Sequence, residues 1–456
     1  MMSIAHAHSR RRSRLSFVRQ FAIAGVTAFG TFAAATPSAH AQASRDERLL
    51  LGDLFARMQR ANPKIAAANL LARAAETRVS GARRPPDPQL QFGFMNYTIP
   101  NFSPMSAIGM PQLQIMQMVP LGGKLGLAGR VAGSQASATN ERAADMTWEL
   151  RSQSAMAFYD LYATDRRLDV ARETLRILQD IESTAETVYR VGEGRQTDVL
   201  RAQVEIAKMA EDTVRMHAMR ETMVAKINAL LDRDASVVVG SPVLPHFPDS
   251  IPSRASIDSI ALGERPMLRA GLDDVRAAES AERLARKEIW PDLQIGVQYA
   301  QRGGEMGTER MASLMFGATI PVFARDKQLE RRDEARLMQR MALADLAAMR
   351  ADTRGKIGEA YANLTRARNL AQLYRTTVLP QAEATVASAL ATYRVGRVDF
   401  MTLLDDRMTV NKYKQELFAL DADQGKAWAE LEMLAGRELF DPNGIAANSA
   451  FDRGDK

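Results

Sequence analysis

Apolar residues along this chain keep two different periods, and the switch between them happens twice. A stretch beginning at Pro63 sets alanines and leucines three to four residues apart, as one face of a helix does, and Pro85, Pro86 and Pro88 close it. The period then drops to two. In QLQFGFMNY the apolar set is Leu90, Phe92 and Phe94, and in QLQIMQMV it is Leu113, Ile115 and Val119. Later, DLQIGVQY offers Leu293, Ile295, Val297 and Tyr299, and SLMFGATI offers Leu314, Phe316, Ala318 and Ile320. Alternate positions are mostly Gln, Gly, Ser and Thr. Each half of the chain thus predicts two strands with one apolar and one polar face, each of the ~9–11 residues of a tilted membrane-spanning strand. A half-buried hairpin on a soluble core would show the same alternation.

After each strand pair the helical period returns and persists. No glycine or proline occurs between Ser134 and Val191, nor between Arg195 and Val239, while Leu168, Leu175, Leu178 and Ile181 keep helical spacing. Runs this long exceed ordinary globular helices and predict coiled-coil packing. The break between them follows YRVG at Tyr189, Arg190, Val191 and Gly192, and the same four residues recur at Tyr393, Arg394, Val395 and Gly396. Pro63, Arg73, Glu76, Pro88 and Gly93 likewise recur without a gap as Pro266, Arg276, Glu279, Pro291 and Gly296. The chain reads as a tandem duplication. The first repeat is 42–245, with strands at about 89–98 and 111–119 and a hairpin tip at 189–198. The second is 246–440, with strands at about 292–300 and 311–320 and a tip at 393–402. A tail covers 441–456.

The ends and the charge narrow the class. Arg10, Arg11, Arg12, Arg14 and Arg19 form a basic segment, FAIAGVTAFGTFAAA an apolar one, and Ala39-His40-Ala41 a cleavage site, so residues 1–41 read as an export signal of the general secretory route. Those residues carry five arginines and no Lys, Asp or Glu, so removing them takes the formal net charge from +6 to +1. A nucleic-acid partner loses its electrostatic support. There is no cysteine, which excludes both disulfides and an N-terminal lipid anchor. An exported chain has an outer membrane within reach. A sheet in lipid must close, four strands cannot close alone, and about eight is the practical minimum, so a barrel would be shared between chains.

In this order of helix, strand pair and long helical hairpin, with VPLGGK at 119–124, TDVLRAQ at 197–203 and VLPQAEATVASALATYRVG at 378–396, the sequence resembles the TolC-like outer-membrane efflux proteins, the exit ducts of tripartite pumps. The stretch from Phe92 to Leu127 looks most like their heavy-metal branch. The resemblance implies an α+β membrane protein. Its homotrimer would form a 12-stranded outer-membrane β-barrel, four strands per chain, continued by an α-helical coiled-coil tunnel in the periplasm. It also implies the outer membrane as location, and as partners a periplasmic adaptor and an inner-membrane pump of the RND type. The YRVG tips would meet the adaptor. The gate would lie at Asp405, with Thr402 and Asp406 beside it. Where the family often sets two aspartates one turn apart, this chain has Thr402 and Asp405, and only the second is acidic. Many members of the branch carry a lipidated cysteine that is absent here, leaving anchoring to the barrel.

Other chemistry finds little support. Outside the signal only His217 and His246 remain, neither with a second ligand one turn on, so no metal site is expected. LGGKLGLAG lacks the spacing of a phosphate loop and reads as a strand-to-helix turn. No nucleophile and base pair emerges, so neither catalysis nor a cofactor is expected. Met95, Met105, Met110, Met116 and Met118 crowd one hairpin. Thioethers suit soft ions, but methionine is also a flexible packing residue, and that reading suits a duct that must release its cargo. A purely structural coiled-coil envelope protein is the rival class; it accounts for the helices and not for the strands.

Overall fold

The computed structural model describes residues 48–95, 97–98, 103–104, 110–304, 307–393, 395 and 397–442. The export signal, Met105, Arg394, Gly396 and residues 443–456 lie outside them. Two short helices, α1 (Leu51–Ala61) and α2 (Pro63–Ala82), open the described chain, separated by a proline break. At that break Asn62 caps α2 by accepting the Lys64 N–H at 2.9 Å, and it donates to the Leu230 carbonyl at 2.9 Å. Strand β1 (Gln89–Met95) follows, then the short pair β2 (Tyr97–Thr98) and β3 (Ser103–Pro104), then β4 (Met110–Val119). Helices α3 (Lys124–Arg190) and α4 (Gln196–Leu230) form the first long hairpin. The second half runs α5 (Arg254–Glu264), α6 (Pro266–Lys287), β5 (Asp292–Gly304), β6 (Gly307–Thr319), α7 (Glu330–Leu373), α8 (Leu379–Tyr393) and α9 (Phe400–Ala435).

Strands β1, β4, β5 and β6 make one antiparallel sheet in that order, so the two halves join through β4 and β5. The outer edges, β1 and β6, have no strand partner among the described residues. The strands differ from the sequence reading at their ends. Residues 97–98 leave β1 and pair with 103–104, whereas β5 and β6 continue beyond residues 300 and 311 through pairs such as Arg302 with Glu309. A ladder needs backbone groups and not apolar side chains, so it outruns the hydrophobic alternation; opposite charges across strands support it there.

Helix α3 would span roughly 100 Å at its 67 residues. It packs along α2, α4, α6 and α9, and α7 packs on α6 and α9. Small side chains such as Ala155, Ala171 and Ala185 are buried on α3 and allow close helix approach. Two equivalent cores form midway. Leu51, Leu54, Phe55 and Met58 of α1 join Phe158, Tyr159 and Leu161 of α3 and Ile227 of α4. Ile257 and Ala261 of α5 join Ile357 and Leu364 of α7 and Trp428 of α9.

Candidate functional site

The sheet presents its apolar side outward. Phe92 is 67% exposed and Phe316 69%, with Leu90, Leu113, Ile115, Val297 and Leu314 on the same side. A contiguous apolar face of this kind marks contact with a membrane or another protein. The opposite face is polar, and Gln298 there donates to the Gln112 side chain across β5 and β4. At its foot the VPLGGK turn joins sheet to helix. Gly122 and Gly123 adopt φ of +73° and +77°, a conformation glycine takes without strain, and α3 starts at once. Lys124 then donates to Asp292 Oδ1 at 2.7 Å and to the Trp290 carbonyl at 2.8 Å, tying the first half to the second where helix and sheet meet.

At the far end of the long hairpins lie the tips. Gly192, at φ +83°, ends the α3 turn by donating to Tyr189 O at 3.0 Å, while Glu193 and Gly194 both donate to Val188 O. A Cβ on Gly194 would stand 3.0 Å from the Tyr189 backbone nitrogen, so the second glycine serves close approach. Arg190 pairs with Glu186 at 2.6 Å. At the second tip Arg397 N–H donates to Thr392 O at 3.0 Å, and α9 starts at Phe400, so Thr402 lies in the helix and not in the turn.

The two tips share one feature and differ in another. Val191 and Val395 are 67% and 66% exposed. Tyr189 is also exposed, whereas Tyr393 lies edge-on to Phe400, ring centroids 5.7 Å apart, and joins the core of Leu178, Ile181, Ala202 and Leu404. Burial raises the Tyr393 hydroxyl pKa, with Asp198 and Asp399 adding to the effect. Sequence identity hid this difference, because Phe400 has no aromatic equivalent after the first tip.

Thr402 and Asp405 are both exposed and stand one turn apart on α9; Asp406 is half-buried. Asp405 makes no ion pair among the described residues. Just beyond, a charged cluster clamps the helix: Arg407 and Lys414 of α9 reach Glu173 of α3 at 3.7 and 3.4 Å, and Lys414 reaches Glu383 of α8 at 3.5 Å. Burial lowers the Arg407 pKa, against the pull of Glu173 and Glu383. Beneath it the Thr174 hydroxyl donates to Asn411 Oδ1 at 3.1 Å in a buried contact. Periodicity gave no sign of this clamp, whose links to Glu173 join residues more than two hundred positions apart. Among the described residues no three His, Asp or Glu side chains form a metal cluster, and His217 sits 3.3 Å from Arg172.

The family model of the outer membrane efflux protein matches twice, over residues 54–232 and 259–437. The cobalt-zinc-cadmium resistance protein CzcC of Cupriavidus metallidurans is 21% identical over 339 residues, 70% of this chain and 75% of that protein. The outer-membrane channel OprN has the same fold, with a TM-score of 0.75 at 17% identity over 85% of this chain and 89% of its own. So has the outer membrane protein VceC from Vibrio cholerae, with a TM-score of 0.73 at 14% identity over 86% and 97%. An apolar-faced sheet on long helical hairpins, matched by the family model over both halves, has one conclusion: the chain belongs to the outer membrane efflux protein family, and is an efflux channel of the outer membrane whose helices stand in the periplasm.

Proposed function

We propose that three copies join sheets edge to edge into a twelve-stranded barrel. The helices then continue it as a tunnel that passively conducts metal cations or drugs handed over by an inner-membrane pump of the RND type and its periplasmic adaptor. The observation that carries this reading is the sheet, with its apolar face exposed and both edges, β1 and β6, open among the described residues. Unpaired strand edges cannot remain in lipid, so the sheet closes with copies of itself. Leu70 and Leu71 on α2, and Leu337 and Met341 on α7, give the single chain further exposed apolar positions for neighbouring copies. The resistance that names CzcC favours metal cations as cargo.

Three Asp405 carboxylates meeting near the tunnel axis would draw cations and repel one another, a gate held by the clamp at Glu173, Arg407 and Lys414. The test is purification in mild detergent followed by planar-bilayer recording. Mass measurement should give a trimer, and Asp405→Ala should weaken block of the channel by divalent cations. A stable, monodisperse monomer would overturn the barrel, and unchanged block would remove Asp405 from the gate.

A further inference from the structure

The polar face of the sheet carries more than amides. By register, Met116 lies opposite Gly296, and Gly296 lies opposite Met315, so the three stand in a row across β4, β5 and β6 on the same face as Gln114 and Gln298. Both methionines lean into the space that glycine leaves: a Cβ there would lie 3.1 Å from Met116 Cγ and 3.5 Å from Met315 Cε. Gly296 is buried beneath them, and Met315 is the one residue of β6 that is part-buried, the others being exposed. The Gln114 side-chain N–H donates to Met116 Sδ at 2.6 Å. Neither methionine belongs to a hydrophobic core cluster. Both side chains pack over Gly296, outside the hydrophobic cores, and they do so on the polar side of a sheet whose apolar side faces outward.

We infer that Met116 and Met315, meeting over Gly296, form a thioether site on the inner wall of the barrel that holds a soft monovalent cation, Cu(I) or Ag(I), in passage. Two neutral sulfurs suit such ions, Met116 Sδ keeping one lone pair beside the hydrogen bond it accepts, whereas harder divalent ions favour imidazole and carboxylate. The row has neither, and along this face of β5 ionisable groups stand only at the ends, Asp292 at one and Arg302 at the other. Few donors, none charged, hold an ion loosely enough for a channel to release it. Three chains would set three such sites at one level around the lumen. The site rests on the barrel reading above.

The test titrates the purified full-length protein in detergent with silver nitrate in chloride-free buffer, by calorimetry, with cobalt and zinc nitrate as competitors. Replacing both thioethers with the near-isosteric leucine, Met116→Leu with Met315→Leu, should weaken the tightest Ag(I) binding roughly tenfold or more. Trimer migration should stay unchanged, and Met219→Leu on the exposed side of α4 should leave binding as in the parent. Equal Ag(I) binding by a trimer with and without the two sulfurs, or displacement of Ag(I) from them by cobalt or zinc, would overturn the site alone. A parent protein that migrates as a monomer would overturn the barrel and the site together.

Discussion

Glu432 is a carboxylate that the fold prefers uncharged. It is 3% exposed on α9, and its Oε1 accepts the Leu439 N–H at 2.8 Å and the Phe440 N–H at 3.4 Å. Burial pushes its pKa from 4.5 to about 7, although those hydrogen bonds and Arg151, 3.8 Å away, pull it down. The folded pKa is raised above the unfolded one, so the stability it contributes is complete below 4.5 and is lost as pH rises through about 7. Between about pH 5 and about pH 8 the melting temperature of the parent should therefore fall more than that of Glu432→Gln, which keeps an acceptor without the charge. Parallel profiles would show that Glu432 does not titrate there. Nothing around Glu432 in the sequence announces this, because its burial comes from α3 and from the chain that turns back after α9. Gly192 is the opposite case: a glycine ending a long helical run declares a turn. Gly425, inside α9, has its reason only in three dimensions, since the Tyr159 ring fills the place of its Cβ.

Strands are legible in this chain because a two-residue alternation of apolar and polar positions has few other causes, and the long helices because nothing interrupts them. The interruptions that do occur are less legible. Residues Tyr374–Val378 form a π-turn immediately before α8, whose second residue, Pro380, has no N–H to give the preceding turn. Widening the helix there accommodates the proline ring. It also brings Arg375 onto Asp421 of α9, whose carboxyl burial raises in pKa and Arg375 lowers. Asp421 is 5% exposed and Arg375 about half, so the pair anchors the π-turn to α9 at moderate strength. Arg375→Met should cost about 1–3 kcal/mol, less than for a fully buried pair, because it strands a buried carboxylate. Adding Asp421→Asn should recover most of that loss in the same denaturation assay. A single variant as stable as the parent would mean that the pair holds nothing.

Across the whole molecule the duplication was readable from matched residues, but not the inequality it conceals. Repetition of YRVG suggests two identical docking points per chain, whereas the structure turns Tyr393 inward against Phe400 and leaves Tyr189 exposed. What the tips keep in common is an exposed valine at Val191 and Val395. Neither valine sits in a core cluster, and the adaptor of the proposed function would give these two exposed apolar side chains a surface to bury against. Glycine turns alone would need no valine there. Val191→Asp with Val395→Asp should therefore assemble a trimer at normal abundance and yet fail to crosslink to the periplasmic adaptor or to support efflux. Tyr393→Ala should behave differently, lowering the amount of folded trimer by stripping a ring from the core around Phe400, whereas Tyr189→Ala should spare assembly. If the double aspartate variant crosslinks and exports like the parent, YRVG serves only to turn the chain, and the adaptor must grip the tunnel elsewhere.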